Sequence, residues 1–257
     1  MLNTGDSMYA LATRLFPICR SITGKGVRET FSILAEVIPE LTLHSVPTGT
    51  KAFDWVVPKE WNIRDGYILD PAGQKIVDFM DSNLHVVGYS TPVNMKIQLD
   101  DLQDHLYSLP DQPDAIPYIT SYYKERWGFC ISENQRQSLE PGEYQVVIDS
   151  ELADGELNYG EVIIPGESKL EVLLSTYICH PSMANNELSG PCVTAYLAKW
   201  LATRKRKYTY RIVFVPETIG SIVYISRNLE HLRDKVMAGF NITCVGDDRA
   251  YSYLPSR

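Results

Sequence analysis

The stretch Ser175–Pro191, STYICHPSMANNELSGP, decides how this chain is read. It ends the apolar run Leu170–Ile178 on Cys179 and His180, passes through a turn crowded with Asn185, Asn186 and Glu187, and opens a helix at Leu188-Ser189-Gly190. A nearly continuous apolar run is what a strand buried on both faces requires. A histidine just beyond such a strand stands at the edge of a sheet.

The same pattern repeats downstream. TYRIVFV (209–215) and GFNITCV (239–245) are two further buried-strand runs. Between the first and second runs, Val193, Tyr196, Leu197, Trp200 and Leu201 fall at helical spacing, and between the second and third Ile222, Ile225, Leu229 and Leu232 do the same. Strand, helix, strand, helix, strand predicts an α/β architecture with a mostly parallel sheet flanked by helices.

Upstream the texture differs. From Asp6 to about Pro39, Met8, Leu11, Leu15 and Ile18 form one helical stripe and Val27, Phe31, Leu34 and Val37 a second. After Pro47 short apolar pieces alternate with turn signals such as Asp65-Gly66, Pro71-Ala72-Gly73 and Pro141-Gly142, the pattern of an antiparallel β module, with LDDLQDHLYSLP as a short helix. The expected division is residues 1–50 as helices of the main domain, 51–166 as a β-rich insert, and 167–257 as the α/β part.

Composition narrows the function classes. A chain of 257 residues with 44% hydrophobic and 22% charged residues is an ordinary globular protein, and its net charge of -8 argues against nucleic-acid binding. The basic run Arg204-Lys205-Arg206-Lys207 stands at a predicted helix end, where cations complement the helix dipole. No apolar run is long enough to span a bilayer, and the N-terminus lacks the pattern of a secretory signal. Five widely spaced cysteines without a Cys-x-x-Cys pair read as reduced thiols, so a cytoplasmic location is expected.

The chemical signal lies just beyond each buried strand. The first run leads to His180, the second to Glu217 beyond Pro216, and the third to Asp247-Asp248 beyond Gly246. Ligands of open parallel sheets bind beyond the carboxyl ends of the strands. Singly, each group also suits a turn or a cap, but three at equivalent strand ends favour one site. An imidazole with carboxylates suits a metal, most often zinc, with one carboxylate free as a base. Cys179 is expected to face away from His180 and to serve as a small core residue. His44, His85, His105 and His231 are expected in surface or structural roles. No Gly-x-Ser-x-Gly, Walker or Gly-x-Gly-x-x-Gly motif occurs.

These motifs resemble the zinc aminopeptidases of the bacterial leucyl aminopeptidase and glutamate carboxypeptidase type. More closely, ICRSITGKGVRET, CHPSMANNELSGP, PETIGS and CVGDDRAYSYLPSR resemble aminopeptidase-like proteins often associated with polysaccharide biosynthesis. The resemblance implies a zinc-aminopeptidase-like sheet interrupted by a β insert similar to protease-associated domains, and a peptide or aminoacyl-amide substrate. It implies His180 as a metal ligand, Glu217 as the general base that moves a proton from water to the leaving amine, and Asp247 or Asp248 as a further ligand. Asn186 stands where the peptidases carry a metal-bridging aspartate, and Thr218 where they carry a second glutamate ligand. Losing both acids favours one zinc ion over two. Glu187 is a possible additional ligand, or simply a favourable charge in the first helical turn. The family's last metal-binding histidine has no counterpart after His231, which reads as a chain that continues beyond Arg257. The alternative expectation is a catalytically impaired binding or scaffolding protein on the same fold. Aromatic content is ordinary and does not favour a carbohydrate-binding module.

Overall fold

The computed structural model describes residues 3–122, 124–248 and 252–255. They form two compact units, Met1–Val57 with Gly155–Arg257, and Pro58–Asp154.

The first unit begins with two helices whose limits reflect local chemistry. In α1, Thr4–Leu15, the Asn3 side chain caps the first turn by accepting the Asp6 N–H at 2.9 Å. Helix α2, Lys25–Val37, buries Val27, Phe31 and Leu34 of the stripe read from sequence, together with Thr30, while Val37 is half-buried. Next come five strands: β1 (Thr42–Pro47), β2 (Glu156–Ile164), β3 (Ser168–Tyr177), β4 (Tyr208–Val215) and β5 (Val236–Asn241). Helix α3, Ser189–Ala202, links β3 to β4, and α4, Ile219–Lys235, links β4 to β5.

The strands lie in the order β1-β2-β4-β3-β5. The β4/β3 and β3/β5 pairs are parallel, whereas β1/β2 and β2/β4 are antiparallel. The sheet is therefore mixed. Strand β2, assigned to the insert from sequence, belongs to the main sheet, because a short apolar run between turns looks the same whichever sheet it joins. Strand β5 also starts earlier than the apolar run suggested and ends at Asn241, although Ile242 still donates to the Ser175 carbonyl.

One face of this sheet carries the core. Leu15, Val27, Leu34, Ile178, Ala195, Ile212 and Phe214 are wholly buried in a cluster drawn from α1, α2, α3 and the strands. Each large apolar side chain so buried contributes about 1.5–3 kcal/mol. Val213 and Val215 alternate to the opposite face. There, with Tyr224 and Ile225 of α4, they line a cavity of about 310 Å³ that has Glu217 on its wall.

The second unit is a four-stranded antiparallel sheet in the order Lys75–Asp78, Glu60–Leu69, Glu143–Ala153, Val93–Gln98. Ile68, Val77, Val146, Ile148 and Phe129 anchor its separate core. The expected short helix is Leu99–Leu102. Pro71-Ala72-Gly73 is a turn closed by Asp70. Asp65-Gly66 is not: it sits inside a strand at a register shift, where the pairing with Glu143–Ala153 slips between Ile63 and Asp65. A bulge and a turn share the same residue preferences, and the sequence signal cannot separate them. The expected insert limits thus contract, since residues 51–57 and 155–166 cluster with the first unit.

Candidate metal and catalytic site

The parallel register of β3 and β4 pairs Tyr177 with Val215, and the Ile178 N–H donates to the Val215 carbonyl at 3.0 Å. Both strands therefore end level, and the next residues of each project from the same sheet edge. His180 Nε2 and Glu217 Oε2 meet there at 3.0 Å. The His180 side chain is 10% exposed and that of Glu217 52% exposed. Burial pulls the His180 pKa below its ordinary value, against the opposing charge and hydrogen bond of Glu217. The imidazole is thus neutral near pH 7, the form that ligates metals.

Cys179 is the small buried core residue expected, but it does not face away from His180. Strand alternation has ended at Tyr177, so its Sγ turns to within 3.7 Å of His180 Nδ1 and accepts the Glu217 N–H at 3.2 Å. Burial nevertheless raises the thiol far above its usual pKa, so it remains protonated and is no nucleophile.

Thr218 shapes the glutamate's surroundings. Its φ of 60° and ψ of -76°, with the Ile219 N–H donating to the Glu217 carbonyl at 2.7 Å, define a γ-turn of the strained hand. A β-branched residue there costs about 1–3 kcal/mol. The turn swings the chain from β4 straight into α4 with Glu217 at the corner.

The head of α3 is the third component. Residues Ala184–Leu188 form a π turn, a local insertion often found at functional sites. Its extra residue alters which side chains face the site. Asn186 is exposed, whereas Asn185 Oδ1 accepts the Gly246 N–H at 2.8 Å and the Asn185 carbonyl accepts the Ser189 hydroxyl at 2.6 Å. Ser189 Oγ in turn accepts the Val245 N–H at 2.9 Å. The loop leading to Asp247 and Asp248 is thereby tied to α3, with Asp247 partly buried and Asp248 exposed. Gly190 permits this approach, since a Cβ there would stand 2.4 Å from Thr176 Oγ1 and 2.5 Å from the Ile242 carbonyl oxygen.

Glu187 is not open to the sheet edge. Its carboxylate is fully buried 3.4 Å from Arg20 Nε, a contact the spacing of the motif gives no hint of. Among the described residues, the close group of metal-capable side chains comprises Cys179, His180 and Glu217, within 4.8 Å of one another. Asp247 and Asp248 lie outside that group. The neutral imidazole and the Glu217 carboxylate, with the Cys179 thiol beside them, are donors that suit zinc.

The remaining histidines occupy structural settings. His85 Nδ1 contacts the Cys130 carbonyl, His105 stacks on Trp127, His44 stacks on Tyr159, and His231 joins Glu171 and Arg211. All five cysteines are unpaired.

Comparison with known proteins bears on the family and the fold. The family described as a domain of unknown function, DUF4910, matches residues 9–257. The chain belongs to that family. It is 51% identical over 250 residues, 97% of its own length, to a Clostridium acetobutylicum protein named as a candidate polysaccharide biosynthesis protein with an aminopeptidase-like domain. The chain spans 57% of that relative's length. A crystal structure of a candidate peptidase from the same organism superposes with a TM-score of 0.93 at 52% identity, covering 95% of this chain and 58% of that one. The zinc aminopeptidase BSAP of Bacillus subtilis superposes with a TM-score of 0.65 at 12% identity, covering 94% and 68% of the two chains. The fold of this family member is therefore that of the aminopeptidase-like α/β proteins. Within it, no helix among the described residues is long and apolar enough to cross a membrane.

Proposed function

We propose that the chain carries the active site of a metal-dependent hydrolase that cleaves a peptide or amide bond, using one zinc ion and Glu217 as general base. The observation supporting this is the 3.0 Å contact of a buried neutral histidine with a half-exposed glutamate at adjacent parallel strand ends. His180 and one of Asp247 and Asp248 would hold the ion, with Asn186 at most a weak neutral donor. When bound, the ion supplies Lewis acidity to the scissile carbonyl. Glu217 takes the proton of the attacking water and hands it to the leaving amine. The substrate is a small peptide or aminoacyl amide. A cytoplasmic setting is in keeping with the five unpaired thiols, and a net charge of -8 does not favour a nucleic-acid partner.

The test is zinc content together with turnover on aminoacyl amides. Glu217→Gln should retain zinc while losing about 10²–10⁴ in kcat. Unchanged turnover in that variant would rule out the assigned role.

A second reading is a binding or scaffolding protein on a peptidase fold, serving polysaccharide biosynthesis as the relative's name suggests. It is favoured by the exposed amide of Asn186 and the hydroxyl of Thr218 at two positions where an acid would help hold metal. Absence of metal, with no hydrolysis across an aminoacyl-amide panel, selects this reading.

A further inference from the structure

Arg20 lies in the α1–α2 connection and is 1% exposed, the largest of the fully buried side chains. Its guanidinium reaches three segments. Nη1 donates to the Leu15 carbonyl at 2.7 Å and to Thr30 Oγ1 at 3.4 Å, and Nε donates to the His180 carbonyl at 3.1 Å. The same Nε is 3.4 Å from Glu187 Oε1, on the π turn.

Two charges removed from water are expensive, and their attraction offsets that only with good geometry and further hydrogen bonds. Here the satisfaction is incomplete. Arg20 Nη2 and both Glu187 oxygens complete no well-formed hydrogen bond among the described residues. Burial pushes Glu187 up to about 8, against the Arg20 charge and the pull of the His180 and Cys179 N–H groups. A pair chosen for stability alone would be better served by apolar side chains. What this pair does touch is the main chain of His180, from one side by the Arg20 donor and from the other by the Glu187 carboxylate.

We infer that Arg20 and Glu187 are a positioning pair that fixes the backbone of His180, and so aims its imidazole at Glu217. The inference rests on the reading of His180 as a metal-site residue. Neither residue touches substrate. They act as the outer partners of a ligating histidine do, whose loss weakens metal binding about 10–100-fold.

The deciding variant is Arg20→Met with Glu187→Leu, which removes the buried guanidinium together with its carboxyl partner and leaves apolar chains of similar volume, so that neither polar group is stranded. Zinc affinity is read by competition with a chelator, alongside urea unfolding. The expected result is a folded protein, at least as stable as wild type, whose zinc affinity falls about 10–100-fold. Wild-type zinc affinity in that variant would overturn the inference. Should it fail to fold, Arg20→Lys keeps the charge but not the planar fork. It is expected to fold with weakened zinc binding, and unchanged affinity would again overturn the inference. If the wild-type protein takes up no zinc, the proposed function fails separately. The pair is then judged in a crystal structure of the same variant, where loss of the His180–Glu217 contact supports the positioning role and its retention refutes it.

Discussion

Asn185 Oδ1 accepts the Gly246 N–H at 2.8 Å, so the residue that holds the Asp247–Asp248 loop is the neighbour of the one singled out by sequence. Asn185→Ala should lower stability by about 1 kcal/mol, the net value of one hydrogen bond, and should weaken zinc retention by loosening that loop. Asn186→Ala, at an exposed position, should change stability by less than about 0.5 kcal/mol. Urea unfolding and zinc competition on both variants check this. A larger loss of zinc from Asn186→Ala would show that the amide at 186 is the ligand.

The one-ion reading can be tested by gain rather than loss. Asn186→Asp combined with Thr218→Glu restores the two acids expected of a two-metal site, and elemental analysis should then find zinc rising from one equivalent toward two. Stoichiometry unchanged from wild type would mean that something other than missing charge limits the second ion.

Thr218 stores strain next to the proposed catalytic glutamate. Thr218→Gly should raise thermal stability, by an amount within the roughly 1–3 kcal/mol that its backbone conformation costs. Turnover should fall, because a freer backbone no longer fixes Glu217. Calorimetry and steady-state kinetics separate the two effects, and a variant both more stable and equally active would deny the turn any role in catalysis.

The buried cluster across the sheet imposes a pH dependence. Burial pushes Glu171 up, but hydrogen bonds from Arg211 and His231 outweigh it and hold the carboxyl below its ordinary 4.5. A depressed carboxylate contributes stability that is present above its unfolded value and is lost as pH falls through the lower folded value. Unfolding free energy should therefore decline below about pH 4.5, and Glu171→Gln should flatten that decline. At neutral pH the variant should lose about 3 kcal/mol, the lower end for breaking a buried pair, because Glu161 still neutralises Arg211. An identical acid limb in both proteins would remove Glu171 from the explanation.

The sequence displayed the parts of the site that obey a period. The apolar runs before His180 and Glu217 are buried strands in parallel register, and α1 and α2 bury Leu11, Leu15, Val27, Phe31 and Leu34 of the stripes their spacing predicts. What it concealed was nonlocal or out of phase. Arg20 and the His180 carbonyl are 160 positions apart, a distance that no helical or strand period connects. Strand β2 pairs with β1 across the whole inserted unit, so its run of apolar residues carried no sign of its sheet. The role of Asn185 is hidden for another reason: the resemblance singles out Asn186, and the π turn over Ala184–Leu188, from which Asn185 meets the Gly246 N–H, follows no period that a sequence displays. The Asp65-Gly66 signal misled because bulges and turns use the same residues.

The neck of the inserted unit bears on the order of folding events. Thr48 donates its N–H to the Gly155 carbonyl, and Gly155 donates back to Thr48 Oγ1, across 107 positions of chain. Closing a flexible loop of that length costs about 4 kcal/mol of chain entropy beyond a constant. If residues 58–154 fold first around their own core, their ends are already confined and most of that cost has been met. Pairing of β1 with β2 is then a late, downhill event, and the nucleus of the main sheet lies in the nearer-neighbour β3, α3 and β4.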